Sequence, residues 1–150
     1  MSAFAAFDAL EDGADEPWHI DPCDQFPEDE DARQAEFNRQ ARLLCPGVDI
    51  FAVPNAGRRT RWEAAKRKRE GMKAGVLDIV CEWQPTRRDD RGVAFLEFKN
   101  GSEMPDANQR ARLNRYYQRG HACGVFRTAA TALEFLRAAG APFVDRVGRL

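Results

Sequence analysis

Val76-Leu77-Asp78-Ile79-Val80 and Phe95-Leu96-Glu97-Phe98-Lys99 are two apolar runs of strand character, and each carries charge where a core strand ordinarily carries none. Ionised side chains are almost never fully buried without a partner or a metal, because an isolated charge loses several kcal/mol or more of hydration. Alternate residues of an extended chain share a face, so Phe95, Glu97 and Lys99 point one way and Ala94, Leu96 and Phe98 the other. Glu97 and Lys99 are then about 7 Å apart along the strand. The polar stretch from Gln84 to Gly92 suggests an antiparallel hairpin, which brings Asp78 beside the Glu97 strand. Two carboxylates and an ammonium then converge at one point, and two carboxylates hold a hard divalent cation such as Mg²⁺.

The remaining elements follow from periodicity and stop signals. From about Asp29 to Cys45, Phe37, Ala41 and Leu44 form one helical stripe with Glu36 on its flank, and Pro46-Gly47 ends it. Asp49 to Pro54 reads as a strand followed by the turn Asn55-Ala56-Gly57 and the pair Arg58-Arg59. Thr60 and Glu63 form a capping box for a second helix that Gly71 ends. A third helix runs from about Pro105 to Arg119, with Gln109, Leu113 and Tyr116 on an inward stripe. Ala122 to Arg127 is a further strand, and Thr131 with Glu134 starts a last helix closed by Gly140 and Pro142. The expected fold class is α/β: a central mixed four-stranded sheet flanked by helices in the order α-β-α-β-β-α-β-α.

The net charge of −1 conceals a strong segregation. Residues 1 to 36 hold 12 acids and one base, giving −11, whereas the other 114 residues hold 22 bases and 12 acids, giving +10. A basic body of this kind suits nucleic acid. Residues 1–31 read as an acidic leader, and 32–150 as the folded domain. The leader is expected to cover the basic surface as a DNA mimic, to recruit a basic protein partner, or to serve as a solubilising tail. No run of about 18 apolar residues and no signal-peptide pattern is present, so a cytoplasmic protein without a membrane partner is expected. The four cysteines lack C-x-x-C spacing, which argues against zinc, and Cys81 and Cys123 read as small buried hydrophobes. Trp62 and Trp83 are expected in the core rather than as base-stacking platforms.

An E-x-K triplet is common, but its setting is specific. Asp78 in one strand, Glu97-x-Lys99 in the next and a helix after it resemble the PD-(D/E)xK nuclease superfamily. More narrowly, the chain is similar to the VRR-NUC family over roughly Ala35 to Leu136. The matching pieces are Glu36, Pro54-Asn55-Ala56-Gly57-Arg58, Gly75-Val76-Leu77-Asp78, Phe95-Leu96-Glu97-Phe98-Lys99 and Gln109. Leu77 stands where family members commonly have proline, which leaves the Asp78 carboxylate unaffected and suits a strand interior.

The resemblance implies a restriction-endonuclease-like core and a metal-dependent DNA endonuclease. Asp78 and Glu97 would ligate Mg²⁺ or Mn²⁺ with the main-chain carbonyl of Phe98, and Glu36 would complete the acidic cluster. Lys99 would orient the nucleophile or stabilise the transition state, and Gln109 would orient Lys99 or the water. Asn55, Gly57, Arg58, Arg59 and Lys73 are the expected DNA contacts, since Lys66 to Arg69 are spread around a helix axis. Small stand-alone members imply branched or structured DNA such as Holliday junctions, cut by a homodimer. The alternatives are a restriction-like or repair nuclease acting on duplex or flap DNA, and a non-catalytic DNA-binding module.

Overall fold

The computed structural model describes residues 16–54, 61–71, 73 and 75–144. In chain order the elements are β1 (His19–Ile20), α1 (Glu30–Leu44), β2 (Asp49–Ala52), α2 (Arg61–Arg69), β3 (Ile79–Glu82), β4 (Val93–Phe98), α3 (Ala107–Gln118), β5 (Ala122–Phe126) and α4 (Ala129–Ala138). The protein is α/β, with one mixed sheet flanked by helices. Its sheet has five strands in the order β1-β5-β4-β3-β2, one more than the sequence suggested. The expected β3–β4 hairpin is present and antiparallel, with Ile79 opposite Leu96 and Cys81 opposite Ala94. β2 continues it antiparallel, while β5 lies parallel to β4 after crossing through α3.

The additional strand comes from the segment read as leader. β1 pairs parallel with β5, His19 opposite Gly124 and Ile20 opposite Val125. Trp18, only 3% exposed, packs with Leu77, Leu113, Cys123 and Val125. The folded domain therefore takes in residues before 32, Trp18 and strand β1 among them. Three prolines and many acids hid this join, because a two-residue strand has no periodicity of its own.

Two apolar clusters sandwich the sheet. On one face Phe37 and Ala41 of α1 and Ala132, Leu133 and Leu136 of α4 pack on Ile79, Cys81, Ala94, Leu96 and Phe98. On the other, Leu113 and Tyr116 of α3 cover Phe95, Cys123 and Val125. Cys81 and Cys123 are core residues, as their apolar surroundings implied. Trp83 is buried as well, but Trp62 is 67% exposed, against the expectation of a core residue. Its helix α2 is too charged to offer an apolar stripe. The last helix begins at Ala129, not at Thr131: Thr128 is its N-cap and accepts the Thr131 N–H at 3.1 Å. The expected Thr60 cap lies outside the described residues. Among the described residues no helix is long and apolar enough to cross a membrane.

Candidate active site

Asp78 precedes β3 directly and Glu97 is the penultimate residue of β4, so the hairpin register sets them side by side. Each carboxylate receives a main-chain N–H of the other strand: Asp78 N–H donates to Glu97 Oε2 at 3.1 Å, and Phe98 N–H donates to Asp78 Oδ2 at 2.9 Å. Glu97 is 1% exposed. Burial, and then the like charge of Asp78, push its carboxyl up to about 8. Lys99 Nζ lies 3.4 Å from Glu97 Oε1. Burial pulls that amine down, yet the carboxylates of Glu97, Glu30 and Asp78 outweigh it and hold Lys99 above its ordinary value. Lys99 is therefore an ammonium ion here, a source of positive charge and not a proton acceptor.

Gln109 reaches the same point from α3. Asp106 caps that helix, accepting from the Gln109 N–H at 2.8 Å, and Gln109 Oε1 returns the bond to the Asp106 N–H at 2.9 Å. The other end of the amide, Nε2, donates to Glu97 Oε1 at 2.6 Å. Gln109 thus contacts Glu97, where the family resemblance implied Lys99 or water. Gly75 lets the approach to Asp78 cross this turn closely: its φ is +75°, and a Cβ there would lie 2.4 Å from the Asn108 carbonyl oxygen.

The acid that α1 brings to the cluster is Glu30, not Glu36. Glu30 Oε1 lies 3.6 Å from Lys99 Nζ. Burial, and then a hydrogen bond with Glu103, push the Glu30 carboxyl up to about 7. Glu36 is held elsewhere by Arg39 (2.6 Å) and Gln40 (2.7 Å), and these partners, Arg39 first, lower it to about 2. Six residues at about 100° each turn Glu36 about 120° away from Glu30 around the axis. A sequence signal for Glu30 exists: it lies seven residues before Phe37 and four before Ala41 is reached from Phe37, so Glu30, Phe37, Ala41 and Leu44 share a stripe.

Buried arginines support the site from behind. Arg33, one turn after Glu30, forks onto Asp24 at 2.7 and 2.9 Å and donates to the carbonyls of Glu28, Phe26 and Arg127. Arg127 donates to the carbonyl of Asn100, next to Lys99, at 3.0 Å and to that of Asp21 at 3.2 Å. Lys99 N–H itself donates to Phe126 O at 3.0 Å. The sequence reading missed both arginines.

Of the expected DNA contacts, Lys73 is exposed, and Asn55, Gly57, Arg58 and Arg59 lie outside the described residues. Among the described residues no three His, Cys, Asp or Glu side chains converge as a ready-made metal cage. The donors present are nevertheless those a hard cation takes: two adjacent carboxylates and a neighbouring main-chain carbonyl, all oxygen, with burial first and the Asp78 charge second disfavouring the ionised Glu97 in the absence of a cation. The residues fit Mg²⁺ or Mn²⁺ by chemistry. In comparisons with known proteins, the chain matches no family model, no curated protein and no solved structure.

Proposed function

We propose that this chain is a metal-dependent DNA endonuclease of the VRR-NUC kind that hydrolyses phosphodiester bonds in branched or otherwise structured DNA, working as a homodimer. The observation that carries the reading is the pair of carboxylates cross-held by the two strands, Glu97 accepting from the Asp78 N–H and Asp78 from the Phe98 N–H, beside the Lys99 ammonium. Asp78 and Glu97, with the Phe98 carbonyl, would hold Mg²⁺ or Mn²⁺. When bound there, such a cation activates water and offsets the charge that builds on the phosphate.

The chain's own residues divide the remaining tasks. Lys99, kept charged by Glu97 and Glu30, donates to a phosphate oxygen and favours the transition state in which negative charge accumulates. Gln109 keeps the Glu97 carboxylate turned toward the site, since its amide is anchored at both ends. Glu30, with its carboxyl near neutrality, is suited to accept or return a proton close to pH 7. The exposed Lys73 and the basic residues before it would bind the DNA backbone without reading sequence.

The test is a nuclease assay with Mg²⁺ or Mn²⁺ on linear, nicked, flapped, four-way and single-stranded DNA. Cutting by the wild-type chain that disappears in Lys99→Ala supports the proposal. No cutting of any substrate, or equal cutting by Lys99→Ala, refutes it.

A further inference from the structure

Residues 54–77 lie in sequence between β2 and the approach to β3, with helix α2 among the described ones. The residues flanking this segment touch: Val53 N–H donates to the Asp78 carbonyl at 2.7 Å. Its base is therefore at the candidate active site. The segment carries eight basic residues (Arg58, Arg59, Arg61, Lys66, Arg67, Lys68, Arg69 and Lys73) and two acids, Glu63 and Glu70.

Helix α2 rises from it with Trp62, Glu63, Ala65, Lys66, Lys68 and Arg69 all exposed. Trp18 and Trp83 are 3% and 5% exposed, whereas Trp62 is 67% exposed. Leaving the largest aromatic side chain in water forgoes a large burial gain and keeps its ring open to a ligand. Lys66 Nζ stands 5.8 Å from the Trp62 ring centroid, and Lys66 also meets Glu70 at 3.9 Å. Protein interfaces are depleted of lysine and glutamate at their centres, which makes this charged setting a poor protein-docking patch. A lone aromatic amid cations is instead what binds an unpaired nucleobase: the ring stacks on the base and the cations take the flanking phosphates.

We propose that Trp62 is a stacking platform for an unpaired or splayed DNA base, and that it gives the enzyme its preference for structured over continuous duplex DNA. The location of the platform rests on the nuclease reading, but stacking is measured without cutting. The full-length chain, Trp62→Ala and Trp62→Phe are titrated, in EDTA at one salt concentration, against single-stranded, flapped and fully duplex oligonucleotides carrying 2-aminopurine. Because the other two tryptophans are buried, quenching of tryptophan emission by DNA reports Trp62.

Single-stranded and flapped DNA should quench the wild-type emission, and Trp62→Ala should bind them about 5- to 100-fold more weakly. Trp62→Phe should recover most of the loss, and duplex binding should be unchanged. Equal affinity of Trp62→Ala and wild type for unpaired DNA overturns the inference. So does an equal loss on duplex and unpaired DNA, or a Trp62→Ala chain that changes its sedimentation, which would make the ring a subunit contact. A wild-type chain that shows Trp62-dependent stacking yet never cuts with Mg²⁺ refutes the nuclease reading alone.

Discussion

Gln109 binds Glu97 through Nε2 at 2.6 Å while its own Oε1 is tied to the Asp106 N–H at 2.9 Å. One side chain therefore both starts helix α3 and fixes the deepest carboxylate of the candidate site. Replacing it by leucine keeps the volume but removes both bonds. Gln109→Leu is expected to lower stability by about 1–3 kcal/mol, as loss of a partner to a buried charged group does, and to reduce cutting with it. Urea unfolding and initial rates on the preferred substrate would check this, and an unaltered rate would remove Gln109 from the site.

Glu30 and Glu36 give opposite expectations on one helix. Glu30→Gln takes away a carboxylate that faces Lys99 and should slow cutting by about 10-fold or more. Glu36→Gln disturbs only a bond to Arg39 and Gln40 and should leave the rate within about two-fold. Rates of the two variants at saturating Mg²⁺ decide the assignment. The reverse ranking would restore Glu36.

Stability of the metal-free chain should depend on pH in an unusual direction. Glu97 and Glu30 have folded values raised to about 8 and about 7 from 4.5. Their contribution is whole below pH 4.5, where folded and unfolded chains both keep the proton, and is lost as pH rises through 7 to 8. Thermal midpoints in EDTA should therefore fall between pH 5 and 8.5. Mg²⁺, by binding the folded state, should recover part of that loss. Glu97→Gln should flatten the profile, and a flat wild-type profile would contradict the assigned values.

Asp21 predicts the opposite trend at acid pH. Burial raises its carboxyl, but bonds from His19, Thr131 and the Arg127 N–H outweigh this and leave it below 3.8. A lowered acid contributes fully above its unfolded value, and that contribution disappears as pH falls through the folded one. Wild type should lose stability below about pH 4 more steeply than Asp21→Asn, as followed by circular dichroism.

A chain beginning at Ala32 should fail to fold. It lacks Trp18, strand β1, Asp21 and the Asp24 carboxylate that holds the buried Arg33 guanidinium. Far-ultraviolet circular dichroism would show this, and a cooperative thermal transition in the truncated chain would overturn it.

The hairpin that sets Asp78 beside Glu97 and the inward face of Gln109 were legible because each depends on local period, alternation in the strands and three-to-four spacing in the helix, whereas the place of Gln109 at the site was implied by the family resemblance alone. The choice of Glu36 failed for a related reason. Glu36 came from the family resemblance and lies on the flank of the stripe, whereas the stripe itself continues back to Glu30. β1 was invisible because its two residues are held by a parallel partner about a hundred positions away, and pairing at that distance leaves no local mark. Trp62 was misplaced because size and hydrophobicity favour burial on average, and only the charged company it keeps on α2 says otherwise.

The bond from the Arg127 N–H to Asp21 Oδ2, 2.7 Å long, joins positions 106 residues apart. During synthesis the segment around Asp21 must wait for about a hundred further residues before its strand partner exists. Arg33 waits likewise, since one of its acceptors is the Arg127 carbonyl. The helix that carries Glu30 is therefore tied down only after residue 127 has been made, so the centre is assembled through contacts distant in sequence and not by its own hairpin alone.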